Sequence, residues 1–456
     1  MSSQPRSWAG GPTTEIVAAI FHSLERAERA AFVTPSRSVS WAEWIGSVEQ
    51  MVERHSRLRG ARTGLCLRPS EKSYALLIAL SWLNCDVFLH DAGMSNAAIQ
   101  EFAEQYRLDA TIDPSGDRAA GELSSGKTSA GRGEVTIFTS GSTGQPKPVR
   151  HDWNSLTRPV RKTNSPSPQR WLLTYRPHLY AGLQVFLHCL LNQETLVLPE
   201  QGTTVDSLVD LMSRSLVTSV SATPSYWRRL ITQGRPALLK SIPLEQITLG
   251  GEIADEKLLA ALDRLYPEAR LVHIYATSEL GRCFSVKDRR AGFPTRFLDA
   301  PSDEGVELKV EDGELHVRSA NAMIGTGSTA GIGSREADWL PTGDLIEQVG
   351  DRCFFTGRRN DVINVGGNKV QPLRVEQIIH VIPGVRDVRV FSRSSSLVGQ
   401  MVACEFVPEP GFEPEDVRQA ILKICLEQLD GHERPRFVQA VPIIALSDAE
   451  KKIRKP

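Results

Sequence analysis

The segment Thr139-Ser140-Gly141-Ser142-Thr143-Gly144-Gln145-Pro146-Lys147 has the composition needed to hold anionic oxygens. Glycines let the backbone turn tightly and come close to a ligand. Successive N–H groups and the hydroxyls of Ser140, Ser142 and Thr143 can hold phosphate oxygens, and Lys147 adds a mobile positive charge. The spacing excludes a Walker A loop, because no GxxxxGK[ST] string is present. Glycine, serine and lysine also mix in plain surface loops, as around Lys127 and at Gly327-Ser328-Thr329. Position separates this string from those, since an apolar strand expected over 135–139 runs straight into it.

Further along lie other groups suited to a nucleotide. Tyr275-Ala276-Thr277-Ser278-Glu279-Leu280-Gly281 sets a carboxylate after a predicted strand. A carboxylate beside a phosphate site makes sense only with a metal ion between them. Gly250-Gly251-Glu252 follows an apolar run at 246–249, and Pro341-Thr342-Gly343-Asp344 offers a carboxylate that can accept from two hydroxyls. Then comes Gly357-Arg358-Arg359-Asn360-Asp361-Val362-Ile363-Asn364-Val365-Gly366-Gly367-Asn368-Lys369-Val370, and finally the basic end Lys451-Lys452-Ile453-Arg454-Lys455. Each alone has an ordinary reading: a solvated glutamate, a strand-to-helix turn, a common turn, a solvated basic tail.

In this order the strings resemble the signature motifs of the adenylate-forming enzymes: acyl- and aryl-CoA synthetases, peptide-synthetase adenylation domains and firefly luciferase. The likeness covers nearly the whole chain. It implies that Thr139, Ser140, Gly141, Ser142, Thr143, Gly144 and Lys147 hold the leaving phosphates of ATP. It further implies Mg²⁺ on Glu279, the α-phosphate on Ser278, adenine stacked on Tyr275 and bordered by Gly250, Gly251 and Glu252, and ribose hydroxyls on Asp344. Arg358 would contact ribose or phosphate, and Lys369 a phosphate. Asn360 falls at the family's hinge, usually Asp or Lys, and Gly366 and Gly367 along its pantetheine tunnel. Lys452 corresponds to the catalytic lysine that bridges the incoming carboxylate and the phosphate. Lys451 stands where the family has glycine and is a weaker candidate for that role.

By the same resemblance the acyl pocket lies between 176–182, 221–224, Gly250 and 274–277, with His178, Tyr180, Gly182, Ala222 and Ala276 in its walls. Ala276 replaces a glycine at the family's pocket floor, adding a methyl there. His178 resembles the histidine of acyl- and aryl-CoA ligases, but its spacing to Gly182 is one residue longer, so a core or gate histidine stays open. Residues 175–182 hold no aspartate to pair an α-amino group. A buried ammonium without a partner is costly, which disfavours an amino acid. Tyr180 and apolar walls suit a fatty or aromatic acid. The implied reaction is ATP-dependent formation of an acyl-adenylate with loss of pyrophosphate. Transfer would follow, to the thiol of coenzyme A or to the phosphopantetheine of a separate carrier protein. A luciferase-like adenylate-forming oxidoreductase and a non-catalytic nucleotide-binding relative are the alternatives.

The elements that must position these groups read as an α/β protein. Amphipathic helices are expected over 14–33 and 41–58, a buried strand over 64–67, a helix over 71–84 and a strand over 87–89. This strand–helix–strand order implies a parallel sheet covered by helices. Stretches 113–133 and 324–334, rich in Gly and Ser, read as loops. Alternation over 304–318, turning at Glu311-Asp312-Gly313, reads as a hairpin of a small β-rich subdomain. The chain of 456 residues exceeds what one core serves. A large N-terminal domain, 1–359, and a small mobile α+β C-terminal domain, 360–456, are expected.

A net charge of -1 gives no whole-surface attraction to nucleic acid or anionic membrane. Arg386, Arg389, Arg393, Lys423, Arg434 and Arg436 are either a face for the acceptor's phosphates or simply a solvated one. The 7 cysteines contain no CxxC pair, which implies reduced thiols, no zinc site and a cytoplasmic protein. The first residues lack a signal-peptide shape, and the apolar run at 74–83 is too short to span a bilayer.

Overall fold

The computed structural model describes residues 27–114, 131–140, 146–163, 167–302, 305–324, 339–395, 399–447 and 451–453. Four sheets organise them. The largest has 8 strands in the order Gly281–Val286, Arg270–Thr277, Gln246–Gly250, Ser219–Ala222, Arg170–Leu172, Thr195–Val197, Ala30–Val33, Ser38–Ser40. Its inner pairs are parallel and its two outermost pairs antiparallel. A second sheet of 5 strands runs Ala110–Ile112, Arg62–Cys66, Asp86–His90, Val135–Ser140, Pro146–His151, parallel except for its last hairpin. Parallel strands need both faces covered; every residue of Asp86–His90 is buried, with Val87, Phe88 and Leu89 as its apolar centre.

Helix Glu71–Trp82 shows the same logic. It is buried from Ser73 to Trp82, and one core joins its side chains to Leu65 and Val87 of the second sheet and Phe32 and Leu196 of the first. Tyr74 stacks on Phe186 of helix Tyr180–Asn192 with ring centroids 4.1 Å apart. Helix Trp41–Arg54 begins at Ser40, whose hydroxyl accepts the Glu43 N–H, and it buries Trp41, Trp44, Ile45 and Val48 along one stripe. The 14–33 helix is corrected at its end: Ala30–Val33 is a strand, with Phe32 and Val33 in parallel register with Leu196 and Val197. Residues 14–26 lie outside the described residues. The pairing surface overrides the local pattern there. The expected 41–58 helix stops at Arg54, and Ser56–Leu58 forms a short 3-10 turn.

A third sheet, antiparallel, carries the 304–318 hairpin as Glu307–Glu311 and Glu314–Arg318. Asp312 and Gly313 both have positive φ, 49° and 73°, the conformation a two-residue hairpin loop demands. The fourth sheet, Asn368–Val370, Ile363–Val365, Gly399–Pro408 and Val385–Ser395 with Phe437–Ala440, has a core of its own. Val375, Ile379, Val390, Phe406 and Ile421 lie in it. All 7 cysteines are free and buried. Among the described residues, no helix is long and apolar enough to cross a membrane.

The C-terminal sheet meets the large one across a charged seam. Lys257 Nζ donates to the Val385 carbonyl at 2.6 Å and to Glu409 Oε1 at 2.5 Å. Asp255 pairs with Arg228 and has His380 Nε2 at 3.6 Å. Asp387 pairs with Lys452. Burial, then the Arg228 charge, pushes His380 down to about 4, with Lys452 adding to the repulsion and Asp255 and Asp387 opposing it. His380 is therefore neutral at pH 7 in the fold.

Two stability measurements follow. A methyl at Gly182 would run into the Arg176 carbonyl oxygen, so Gly182→Ala is expected to cost about 1–3 kcal/mol in urea unfolding. Unfolded His380 takes its proton near pH 6.5 and folded His380 only near pH 4. Between those values the unfolded chain binds more protons, so stability falls as pH drops through that window. Urea midpoints from pH 7 to pH 4 are expected to fall less steeply for His380→Gln than for the native chain. Identical profiles would remove His380 from the acid-sensitive groups.

Candidate active site

The carboxyl ends of the large sheet's parallel strands face the third sheet, where loops leave the strands and a ligand crevice is expected. Gln246–Gly250 ends in Gly251, whose φ of +82° suits glycine, and a Cβ there would stand 3.2 Å from Lys451 Cε and 3.6 Å from Thr223. Glycine is thus required here both for its backbone and for the close approach of a lysine. Tyr175 sends its hydroxyl toward the Gly250 carbonyl at 3.5 Å.

The neighbouring strand, Arg270–Thr277, carries Tyr275 near its carboxyl end. Its ring packs nearly parallel to Phe284 and Phe355, each 5.1 Å away. Its hydroxyl donates to Asp344 Oδ2 at 2.5 Å. Burial, with the Asp344 charge beside it, keeps that phenol well above its ordinary pKa and so protonated. Asp344 stands opposite Arg358 in the antiparallel pair Leu340–Val349 and Arg352–Arg358, and Arg358 Nε donates to Asp344 Oδ1 at 2.6 Å. Gly343, with φ +77°, gives its N–H to Glu314 Oε1 at 2.8 Å, while Glu314 Oε2 is 2.7 Å from Arg359. The Asp344 carboxylate is thereby fixed in place, with Tyr275 and Arg358 taking only part of its accepting capacity.

Glu279 follows Tyr275 in the turn to strand Gly281–Val286. Its backbone carbonyl accepts Met323 N–H at 2.7 Å, and Ile324 N–H bonds the Arg150 carbonyl at 2.7 Å. His151 lies 2.8 Å from the Ser278 carbonyl through Nε2, so that nitrogen carries the proton. These contacts tie the turn holding Ser278 and Glu279 to the hairpin Val135–Ser140 and Pro146–His151, in which Thr139 faces Lys147 and Ser140 faces Pro146. The loop positions Gly141, Ser142, Thr143 and Gly144 lie outside the described residues; Lys147 is exposed. Among the described residues the half-buried Glu279 side chain has no hydrogen bond or ion pair. A carboxylate with no partner among the described residues fits a hydrated Mg²⁺, which binds through one or two carboxylates and substrate phosphates.

The two terminal lysines go to different places. Lys451 reaches Gly251, and its Nζ would be 3.8 Å from a Cβ there. Burial in the cleft, then the Arg358 charge, lowers its pKa, against the pull of Glu252, Asp344 and Glu279. By surface area the residue is exposed, so water reaches it and the lowering is the part contributed by the protein atoms crowded around its ammonium. Lys452, expected at this centre, is directed elsewhere: Nζ donates to Asp387 Oδ1 and to the Val388 carbonyl, both at 2.7 Å. The cause is local. Glu252 Oε1 accepts the Lys452 N–H at 3.0 Å and Oε2 accepts the Ser225 N–H at 2.9 Å, so the expected adenine-side carboxylate instead clamps the terminal segment.

Other expected positions divide. Ala276 is half-buried beside a bulge in its strand pair. Ala222 is corrected: it has no exposure and lies in the core with Trp227 and Leu249, while Ser221, pointing to the other face, is half-buried. Tyr180 is buried, and its hydroxyl, 3.2 Å from where a Cβ on Gly281 would stand, has no partner among the described residues. His178 Nε2 is 3.9 Å from Asp91, which pairs with Arg176. Asn360 sits in the turn after Arg358, with the Asp361 N–H on the Arg358 carbonyl at 3.1 Å. Gly366 and Gly367, φ +57° and +91°, form the loop of an exposed edge hairpin that also carries Lys369. Sequence reasoning missed Glu314 and the seam residues Arg228, Asp255, His380 and Asp387. Within the expected 221–224 wall, strand alternation could have favoured Ser221 over Ala222; no spacing signals the seam.

Residues 91–325, more than half of the chain, match the AMP-binding enzyme family. Indoleacetate–CoA ligase of Aromatoleum aromaticum is 26% identical over 303 residues, 61% of this chain and 58% of its own length. The anthranilate CoA ligase AuaEII, solved with anthranoyl-AMP, superposes with a TM-score of 0.76 at 16% identity, covering 98% of this chain and 97% of that one. The o-succinylbenzoate CoA synthetase MenE of Bacillus subtilis, solved with its acyl-adenylate intermediate, gives 0.70 at 20% identity, covering 96% of each chain. With its glycine turn and anchored aspartate on the loops of one crevice, the chain belongs to the AMP-binding, adenylate-forming enzymes.

Proposed function

We propose that this protein activates an aromatic carboxylic acid with ATP, releases pyrophosphate, and passes the acyl group from the acyl-adenylate to the thiol of coenzyme A. The observation that carries the reading is the Asp344 carboxylate, held by Tyr275 and Arg358 in the crevice that also receives Gly251 and Lys451. A fixed carboxylate with spare lone pairs accepts both hydroxyls of a ribose. The bare glycine turn leaves room for a flat base at its side. Names of similar proteins support an aryl acid: indoleacetate, anthranilate and succinylbenzoate ligases. Among the expected walls, Tyr180 and Ala276 offer an apolar surface, and residues 175–182 hold no aspartate for an amino group.

In this reading the substrate carboxylate attacks the α-phosphorus in line. The phosphorus–oxygen bond to pyrophosphate breaks as the new one forms, and no protein atom bonds to the phosphorus. Catalysis is positioning and charge stabilisation. Asp344 and Arg358 fix the ribose, Ser278 lies at the α-phosphate, and residues 139–144 with Lys147 take the departing phosphates. Glu279 would hold Mg²⁺, which when bound neutralises charge on those phosphates. The domain boundary near Asn360, with rotation bringing Gly366 and Gly367 beside the incoming thiol, belongs to the same proposal.

Pyrophosphate exchange into ATP is expected with aryl acids and at a lower rate with fatty acids. Adding coenzyme A should give the thioester. A product formed only on a carrier protein would reassign the acceptor, and exchange with no acid would refute activation. Asp344→Ala is expected to raise KM for ATP by about 10-fold or more, the scale of losing hydrogen bonds to a charged group.

A further inference from the structure

We infer that the two adjacent terminal lysines divide the work: Lys451 supplies the catalytic ammonium, and Lys452 is a positioning residue that holds the C-terminal sheet where Lys451 can arrive. This rests on the proposed acid activation and names a residue for it other than the one the family pattern indicates.

The geometry sets the division. Residues 445–447 and 451–453 lie side by side and antiparallel. Leu446 bridges Lys452, Ser447 N–H bonds the Lys451 carbonyl at 2.7 Å, and Ile453 N–H reaches the Ala445 carbonyl at 3.3 Å. Lys451 lies in a bend and Lys452 in a single bridge, and their side chains go to different places, Lys451 to Gly251 and Lys452 to Asp387. Glu252 fixes that arrangement by holding the Lys452 N–H while its other oxygen holds the Ser225 N–H.

Lys452 then lies with its side chain 11% exposed, in a cluster with Asp387, Arg228, Asp255 and His380. Withdrawing it would strand the buried Asp387 carboxylate, whose charge is sustained against burial by Lys452 and Arg228. Lys451 is the opposite case. Among the described residues its ammonium makes no hydrogen bond or ion pair, yet it stands against Gly251 within the field of Arg358, Asp344 and Glu279. An unpaired cation beside the ribose anchor is placed to meet two anions, the substrate carboxylate and the α-phosphate. A residue other than glycine at 451 is what makes this possible.

The test uses the full chain, with acid-dependent pyrophosphate exchange as one readout and coenzyme A-dependent consumption of supplied acyl-adenylate as the other. Lys451→Ala is expected to slow exchange about 10²–10³-fold, the scale of losing one transition-state charge partner, with KM for ATP and the thiolation rate within about threefold. Lys452→Met is expected to slow exchange by less than about tenfold, with Lys452→Arg restoring it and Asp387→Asn matching Lys452→Met. Thermal unfolding of each variant checks that the fold survives; a misfolded Lys451→Ala is replaced by Lys451→Gln, judged by the same criterion. A larger loss for Lys452→Met than for Lys451→Ala, or equal losses, overturns the division. Absence of acid-dependent exchange in the native chain is a different failure, and would sink the acid-activation reading itself.

Discussion

One carboxylate, that of Glu252, holds the segment 451–453 against the large sheet. It sits just past strand Gln246–Gly250 and accepts the N–H of Ser225 at 2.9 Å and of Lys452 at 3.0 Å, the latter 200 residues further along the chain. Charge-assisted bonds to backbone N–H groups are among the stronger hydrogen bonds available to a protein. They act here on the main chain, so they set register. Which lysine faces the nucleotide crevice, and which turns into the domain seam, follows from that contact.

The crevice and the seam use charge differently. In the crevice Asp344 keeps accepting capacity after Tyr275 and Arg358 are satisfied, and Glu279 and Lys451 make no hydrogen bond or ion pair among the described residues. Groups left with spare capacity are suited to a ligand that brings its own oxygens and charge. Across the seam, Arg228, Asp255, Asp387 and Lys452 are paired, and His380 is held neutral. Buried pairs contribute little net stability because desolvation offsets their attraction, but breaking one leaves an uncompensated charge. Such a seam opposes partial separation more than it adds to stability. That property suits two parts that must meet in defined arrangements.

Much of the fold was legible in residue patterns. Helix Glu71–Trp82 and strands Arg62–Cys66 and Asp86–His90 announced themselves by apolar runs of the right length. The turns at Asp312-Gly313 and Gly366-Gly367 needed positive φ and used residues that tolerate it. Strand Ala30–Val33 pairs with both the adjacent Ser38–Ser40 and the distant Thr195–Val197, and the second pairing leaves no local mark in the sequence. Of the site, Gly251, Tyr275, Glu279, Asp344 and Arg358 were named from their motifs, and the structure brings Tyr275, Asp344 and Arg358 into direct contact. Lys452, expected in the crevice, is directed to Asp387 in this structure. Sequence order gives spacing along the chain, whereas the place of this segment is set by the Lys452 N–H bond to Glu252, which no local pattern encodes. Ala222 was misassigned for a related cause, the alternation of its strand putting Ser221 on the open face instead.

A crystal structure of the protein with a non-hydrolysable aryl-adenylate analogue tests the central claim most directly, namely that one crevice gathers ribose, phosphate and the Lys451 ammonium. The account predicts both ribose hydroxyls on the Asp344 carboxylate, the Lys451 ammonium on the phosphate mimic, and Lys452 still on Asp387. A nucleotide bound away from Asp344, or Lys452 released from Asp387 to touch the phosphate mimic while Lys451 faces solvent, would contradict it.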